Sequence, residues 1–591
     1  MAFELTYITY FEATEQDDIF PSSGEGPIVN TYVANTLAGN DTINGWDISG
    51  TADQYGIKNY GFINTGEGND IISGKSGSYG IINYGLINTG EDNDIITGMS
   101  GSYGIINEGT FNTGAGNDTI TAMGFSAVSI QNTGTFNTGE GNDRITVEGG
   151  YNKGLESTGT FNMGEGDDTI SAQGKDYGII TSGTINMGDG DDLINGDGRF
   201  SGIRISGIFD TGDGNDRISG SSSYQSRPGI YNDSFTFNTG DGNDIIYGYG
   251  GISNEGLINT GNGKDIISAA GQALYGQGYS LRNSFTIDTG EGDDIITSTG
   301  GIMDNKGVIN TGNGDDSIVA SFYGVPTLVA LNNVNSIETG EGNDKITSTA
   351  VIYNKEGGID NAHKAISNDG TINTGNGQDS IISVGNFTNR GEVFLGDDND
   401  SITASMFTST SKMLGEIDLL NRALENFGFI GTGEGNDTIT STGIIYNQGV
   451  IETGNGDDSI IVDGGIDDIT GTTHGIYNNG GAINMGDGND SIIANEGFES
   501  APNSSGVWFL GEGDDYIKGY GNGDFYGGNG NDTLELTSGT YTVGIWGEGG
   551  ESPIFTKGQQ VMITSEFEKL KAGSTIYDFT SLTAGQIIIV A

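Results

Sequence analysis

One acidic residue recurs in a single local context along most of the chain. Residues 65–73 read Thr-Gly-Glu-Gly-Asn-Asp-Ile-Ile-Ser, and twenty copies of this phrase place Asp at the sixth position. Those residues are Asp41, Asp70, Asp94, Asp118, Asp143, Asp168, Asp192, Asp216, Asp244, Asp265, Asp294, Asp316, Asp344, Asp379, Asp400, Asp437, Asp458, Asp490, Asp515 and Asp532. A carboxylate on a glycine-rich turn can bind a hard cation: Asp brings charged oxygens, and glycines such as Gly66 and Gly68 let consecutive amides and carbonyls curl around an ion. The competing reading is an Asx turn in a solvated loop, the side chain serving only its own backbone.

Two residues after each Asp comes Ile, or Leu534 in the last copy, so a turn leads into a strand with an inward apolar residue such as Ile72. From Asp70 to Asp216 the steps are 24, 24, 25, 25, 24 and 24 residues. A period in that range marks a solenoid with one coil per repeat. Residues 80–98 show one coil nearly whole, with short strands at 81–83, 86–88 and 95–97. Ile63, Ile87, Phe111, Phe136, Phe161 and Ile185 hold the same inward place in successive coils. The expected fold is all-β: a three-sided parallel β-solenoid of about 20 coils of roughly 24 residues, a rod of about 95 Å at ~4.8 Å per coil. Asparagines recur before the Thr, at Asn64, Asn88, Asn112, Asn137, Asn162 and Asn186, and in the preceding turn at Asn59, Asn83 and Asn107. They can hydrogen-bond up the rod as ladders or simply tolerate left-handed turns.

The phrase resembles the RTX calcium-binding nonapeptide, G-G-x-G-x-D-x-U-x. Residues 527–535, GGNGNDTLE, fit every place, and Asp515, Asp524 and Asp532 stand 9 and 8 residues apart, the spacing of that family. Elsewhere the first place is Thr (Thr65, Thr89, Thr113) or Met (Met163, Met187, Met485) instead of Gly. The resemblance implies a parallel β-roll with calcium between stacked turns and two nonapeptides per coil. With one phrase per coil, calcium is expected along one edge. Asp524 and the repeated aspartates are the implied ligands. The turns expected to be weak or empty have Lys264 beside Asp265, Gln378 beside Asp379, and Asp92 or Asp398 in place of the second Gly. The C-terminal FEKL (567–570) and YDFTSLTAGQIIIVA resemble the ends of type I exported RTX proteins, particularly cyanobacterial ones, which implies an uncleaved export signal.

Composition points the same way. Lys and Arg number 22 against 80 Asp and Glu, a formal charge of −58. An ordinary nucleic-acid partner is thereby excluded. One Ca²⁺ in each of the twenty turns would add about +40 and leave roughly −18. The 107 glycines would suggest disorder were it not for the period. There is no cysteine, hence no disulfide and no thiolate metal site. The N-terminus shows no cleavable signal pattern, and no apolar run reaches membrane-spanning length.

The expected organisation is a strand-like cap at 1–35 and a calcium-binding solenoid at 36–509 with insertions at 351–372, 404–430 and 463–480. RTX-type repeats at 510–535 and a C-terminal cap at 536–591 with the export signal follow. Within 411–428, Met413, Ile417, Leu420, Leu424 and Phe427 fall at helical spacing and predict a helix ending at Gly428.

No catalytic constellation is expected. The two histidines, His363 and His474, are read as surface residues, and Arg204, Arg217 and Lys345 form no cluster. The file Thr65, Thr89, Thr113, Thr138 would suit an ice-binding array, but Met163, Met187 and Leu395 interrupt it. The function expected is that of a secreted, calcium-stabilised structural protein, extracellular or at the surface of a bacterium. It would assemble head to tail with itself into a filament, sheath or surface layer. The alternative is an adhesin or gliding-linked surface fibril, similar to cyanobacterial RTX-type surface proteins, with a surface polysaccharide as partner.

Overall fold

The computed structural model describes residues 6–8, 11–12, 14–20, 26–47, 54–224, 227–271, 278–324, 329–352, 364–406, 421–467, 471–501, 506–547 and 552–591. The fold is an all-β parallel β-solenoid with three sheets and, among the described residues, almost no helix. It divides into two compact units, residues 1–272 with 278–298, and residues 273–277 with 299–591.

In the first unit each coil contributes one strand to each sheet. The coil with Tyr79–Asn83 in sheet 1, Leu86–Glu91 in sheet 2 and Ile95–Ser100 in sheet 3 is typical. Its strands pair in parallel and in register with the coils on either side: Ile81 with Ile57 and Ile105, Ile87 with Ile63 and Phe111, Ile96 with Ile72 and Ile120. Alternation puts these residues inside, each at most 1% exposed. Phe111, Phe136 and Phe161 stack at 4.8 Å between ring centroids, the spacing of the strands themselves. The second unit repeats this pattern, with Leu331, Ile366, Phe387, Leu424, Ile445 and Ile476 forming one internal file.

Asparagine forms ladders. In sheet 1, Asn59 Nδ2 donates to Asn83 Oδ1 (2.8 Å), Asn83 to Asn107 (2.9 Å) and Asn107 to Asn132 (2.9 Å), all buried. In sheet 2 the sense is reversed, Asn88 donating to Asn64 and Asn64 to Asn35. Among the described residues no Asn has positive φ, so the ladder is the realised alternative.

Sheet 2 ends on glycine because the coils touch there. Gly90 has φ of 113°, and a Cβ on it would lie 1.6 Å from the carbonyl oxygen of Gly66. Gly90→Ala is expected to lower stability by more than about 3 kcal/mol, since backbone clash adds to the left-handed penalty. Urea denaturation of the purified chain measures the loss. An unchanged midpoint would show that the stacked turns can spread.

Several expectations need correction. In the segment read as a strand-like cap, 1–35, the described strands Thr6–Ile8, Phe11–Glu12 and Ile19–Phe20 pair in parallel with the next coil as solenoid strands do. The predicted helix does not run to Gly428, because Arg422–Asn426 is a sheet strand. There, Leu424 fills the internal file and Asn426 the ladder, and these coil-to-coil contacts override local helical spacing. Met413, Ile417 and Leu420 lie outside the described residues, as does His363. His474 is only 1% exposed. It belongs to the antiparallel hairpin Gly465–Ile466/Thr473–His474, held down where Arg422 donates to Asp467 Oδ2 at 2.8 and 3.1 Å. Thr65, Thr89, Thr113 and Thr138 are also buried, each at most 1% exposed, so that file is no surface array.

The C-terminal segment leaves the coil pattern. Gly539–Trp546 pairs antiparallel with Ser552–Lys557 and Ile587–Val590, and Ser552–Lys557 with Gln560–Ser565. Gln560–Ser565 and Lys569–Ala572 return to parallel pairing with Gly523–Asn529 and Thr533–Leu536.

Candidate metal centre

The repeated aspartates stand where the turn leaving sheet 2 enters sheet 3, and their side chains point inward. Asp41, Asp70, Asp94, Asp118, Asp143, Asp168, Asp192, Asp216, Asp244, Asp265 and Asp294 form one buried file in the first unit. Asp316, Asp344, Asp379, Asp400, Asp437, Asp458, Asp490, Asp515 and Asp532 form its equivalent in the second. None is more than 2% exposed.

One oxygen of each carboxylate has a structural task. Asp70 N–H donates to Asp94 Oδ1 at 2.8 Å, Asp94 N–H to Asp118 Oδ1 at 2.7 Å, and Asp118 N–H to Asp143 Oδ1 at 2.7 Å. The Asp70 carbonyl accepts from the N–H of Ile95 in the next coil. The side chain thus supplies the acceptor that the backbone cannot offer while it turns, a coil-to-coil version of the Asx turn.

The other oxygen has no such task. Asp70, Asp94, Asp118, Asp143, Asp168, Asp192 and Asp216 each bury Oδ2 without a hydrogen-bond partner. A buried carboxylate oxygen left this way costs free energy and draws a proton or a cation. Burial pushes Asp70 and Asp143 up to about 6 and Asp94 and Asp216 up to about 7. The largest rise, to about 9, is at Asp192, where buried Met187 stands in the place of the threonine. Asp400, with Leu395 in that place, rises to about 8. At Asp244 the threonine relieves the carboxylate, Thr239 Oγ1 donating to Oδ2 at 2.5 Å, whereas Thr65, Thr89 and Thr113 donate to carbonyls of the next coil.

These residues fit a cation in part. The Asp file lies in the same turn as glycines packed coil on coil, a Cβ on Gly90 falling 1.6 Å from the Gly66 oxygen and one on Gly114 1.6 Å from the Gly90 oxygen. Among the described residues no group of three His, Cys, Asp or Glu side chains could by itself hold a metal. A bound Ca²⁺ would therefore take Oδ2 from the Asp file and complete its shell with main-chain oxygens, its charge neutralising the buried acids.

The placement refines the predicted ligand list. Asp524 is not in the file: it stands eight residues before Asp532, as Leu86 does before Asp94 and Val507 before Asp515, and so faces outward at the start of a sheet 2 strand opposite Val507. Asp265, Asp379 and Asp400, expected to be weaker, are rungs like the others, each Oδ1 taking an amide at 2.8 or 2.7 Å. Asp92 and Asp398 keep the turn by adopting φ of 79° and 83°. Two rungs were missed. Asp41 Oδ1 accepts from Asp18 N–H, and Asp532 N–H donates to Glu568 Oε2, both within 2.8 Å. Their signal was present in Asp18-Ile19-Phe20 and Glu568-Lys569-Leu570, acid and apolar residue two apart without the glycines.

Separating the two tasks gives a direct test. Asp118→Ala strands the Asp94 amide and is expected to cost about 1–3 kcal/mol. Asp118→Asn keeps the acceptor, so in chelator at pH 5, where the protonated file lets the metal-free chain fold, it is expected to match the parent in thermal stability, and in calcium at pH 8 to bind one calcium fewer by calorimetry. If Asn and Ala lose stability equally in chelator, the rung has no role apart from charge.

A β-solenoid with an internal acidic file is the class that this fold and site define. No protein-family model matches the chain, and no curated protein does. Among solved structures, it is similar to a hyperactive, Ca²⁺-dependent, β-helical antifreeze protein from an Antarctic bacterium. The identity is 17%, the TM-score 0.25, and the match covers 64% of this chain and 78% of that one. So weak a likeness adds nothing to the case for calcium, which rests on the Asp file. No helix among the described residues is long and apolar enough to cross a membrane.

Proposed function

We propose that the chain is a calcium-loaded structural protein of the extracellular space or cell surface, built to assemble with further copies into a filament, sheath or surface layer. The observation that carries the reading is the buried Asp file: a run of inward Oδ2 atoms, one per coil, beneath stacked glycine turns. Such a file makes folding depend on a cation that is scarce inside cells and abundant outside, so the chain would fold on export. The repeat spends its sequence on a regular scaffold whose coils differ little, which suits a building block.

Electron microscopy of the purified chain in millimolar Ca²⁺ and in chelator tests the assembly half. Ordered polymers in calcium alone are the expected result. Monodisperse single particles in calcium would sink the polymer reading and favour the adhesin alternative. A folded chain in chelator at neutral pH would sink the calcium reading independently.

A further inference from the structure

The charge is not spread evenly over the solenoid. In the first unit, nine consecutive strands of sheet 3 run from Ile71–Ser76 through Ile95–Ser100, Thr119–Gly124, Arg144–Gly150, Thr169–Gly174, Leu193–Gly198, Arg217–Ser222 and Ile245–Tyr249 to Ile266–Ala270. They carry two acids, Glu148 and Asp197, and three bases, Lys75, Arg144 and Arg217, in a chain of net charge −58. The nine strands of sheet 2 in the same coils carry Glu67, Glu91, Glu140, Glu165 and Asp210 and no base, and those of sheet 1 carry one acid, Glu156, and three bases, Lys58, Lys153 and Arg204, but are mostly shorter than the strands of sheet 3. Sheet 3 instead presents hydroxyl and aliphatic side chains, among them Thr97, Thr121, Thr146 and Ser171 in register, with Ile71 38% and Ile95 44% exposed.

We infer that the outer face of sheet 3 in the first unit is a self-association surface, and that its occupant is the same face of a second copy. Charge decides the partner. Two chains of −58 repel on approach, and this broad face is one on which they can meet without bringing like charges together. Contact here leaves the acidic turns at the rim, exposed to salt and to calcium. Its size suffices: nine strands at ~4.8 Å and about 20 Å of strand length give on the order of 850 Å² per copy. A stable interface needs about 800 Å² per partner. Two such faces would pack as aligned sheets about 10 Å apart, around a twofold axis that makes the contact isologous. The inference goes beyond the calcium reading and needs calcium only to keep the chain folded.

Analytical ultracentrifugation of the full chain in millimolar calcium tests it, with circular dichroism on each sample. At concentrations below the onset of polymer, the wild-type chain is expected at twice its 61.4 kDa mass. Thr119→Glu/Thr121→Glu/Thr169→Glu places three acids on the face and is expected to weaken association at least tenfold, returning the mass to one chain. Thr121→Lys/Thr169→Lys, in a sheet that already accepts Lys75 and Arg144, does the same by repulsion of the other sign. The control Thr133→Glu/Thr158→Glu puts acids at an exposed corner that already carries Glu108, and keeps the dimer. A folded wild-type chain of single mass, or either face variant still dimeric, overturns the inference, whatever the chelator experiments show.

Discussion

Chelating calcium at pH 8 is expected to abolish the β-sheet circular dichroism signal of the full chain. Adjacent rungs such as Asp94 and Asp118 are one coil apart, and burial has removed the water that would screen them. Two unit charges at ~4.8 Å and an effective dielectric of about 20 repel by about 3.5 kcal/mol. A domain is stable by only about 5–15 kcal/mol, so a file of ionised acids in each unit exceeds what packing can offset. Neutralisation by a cation removes the repulsion and makes metal binding part of the folding free energy. Readdition of Ca²⁺ should restore the signal, with a cooperative dependence on its concentration. A spectrum indifferent to chelator at pH 8 would show that the file is neutral by other means.

The second large effect is expected on lowering the pH of the metal-free chain. The folded-state values of the file lie above 3.8, near 6 for Asp70, Asp143, Asp265 and Asp458 and near 7 for Asp94, Asp168, Asp216, Asp244, Asp344 and Asp490. Burial is the leading cause throughout. Between 3.8 and those values the folded chain keeps protons that the unfolded chain has released. The protonated fold is therefore favoured at low pH and loses stability as pH rises through about 6–7, by up to ~1.4 kcal/mol per rung per pH unit. Asp400 and Asp192, at about 8 and 9, bear the latest loss. In chelator the β signal should return as pH falls from 8 to 5, and the calcium requirement should disappear over the same window. If the metal-free chain is equally unfolded at pH 5, proton neutralisation of the file does not suffice.

The sequence by itself determined the solenoid. A phrase returning every 24 or 25 residues, with an apolar residue at a constant offset from its Asp, admits one arrangement in which like residues stack; the internal files Ile63 to Ile185 and Ile72 to Ile120 follow from it. It also marked the rung residues, because a turn too tight for a backbone acceptor needs a side chain to stand in, and Asp does so at every copy. What only the tertiary structure decided was where each residue faces once coils are counted in three dimensions. Asp524 has the family spacing yet points outward, since eight residues before a rung Asp the chain is already in sheet 2 in every such coil, as at Leu86 and Val507. The file of Thr65 and its successors, which Met163, Met187 and Leu395 interrupt as an ice-binding array, is in fact buried with its hydroxyls bonded to the next coil. Leu424 read as helical and His474 as exposed, because local spacing carries no information about the Phe387 strand that pairs with the one or the Asp467–Arg422 contact that buries the other. Asp18 and Glu568 continue the file without its glycines, and the partner that reveals them is a main-chain amide one coil away. The period is written locally, residue by residue, whereas the contacts between coils join positions 17 to 37 apart and exist only when the chain has wound.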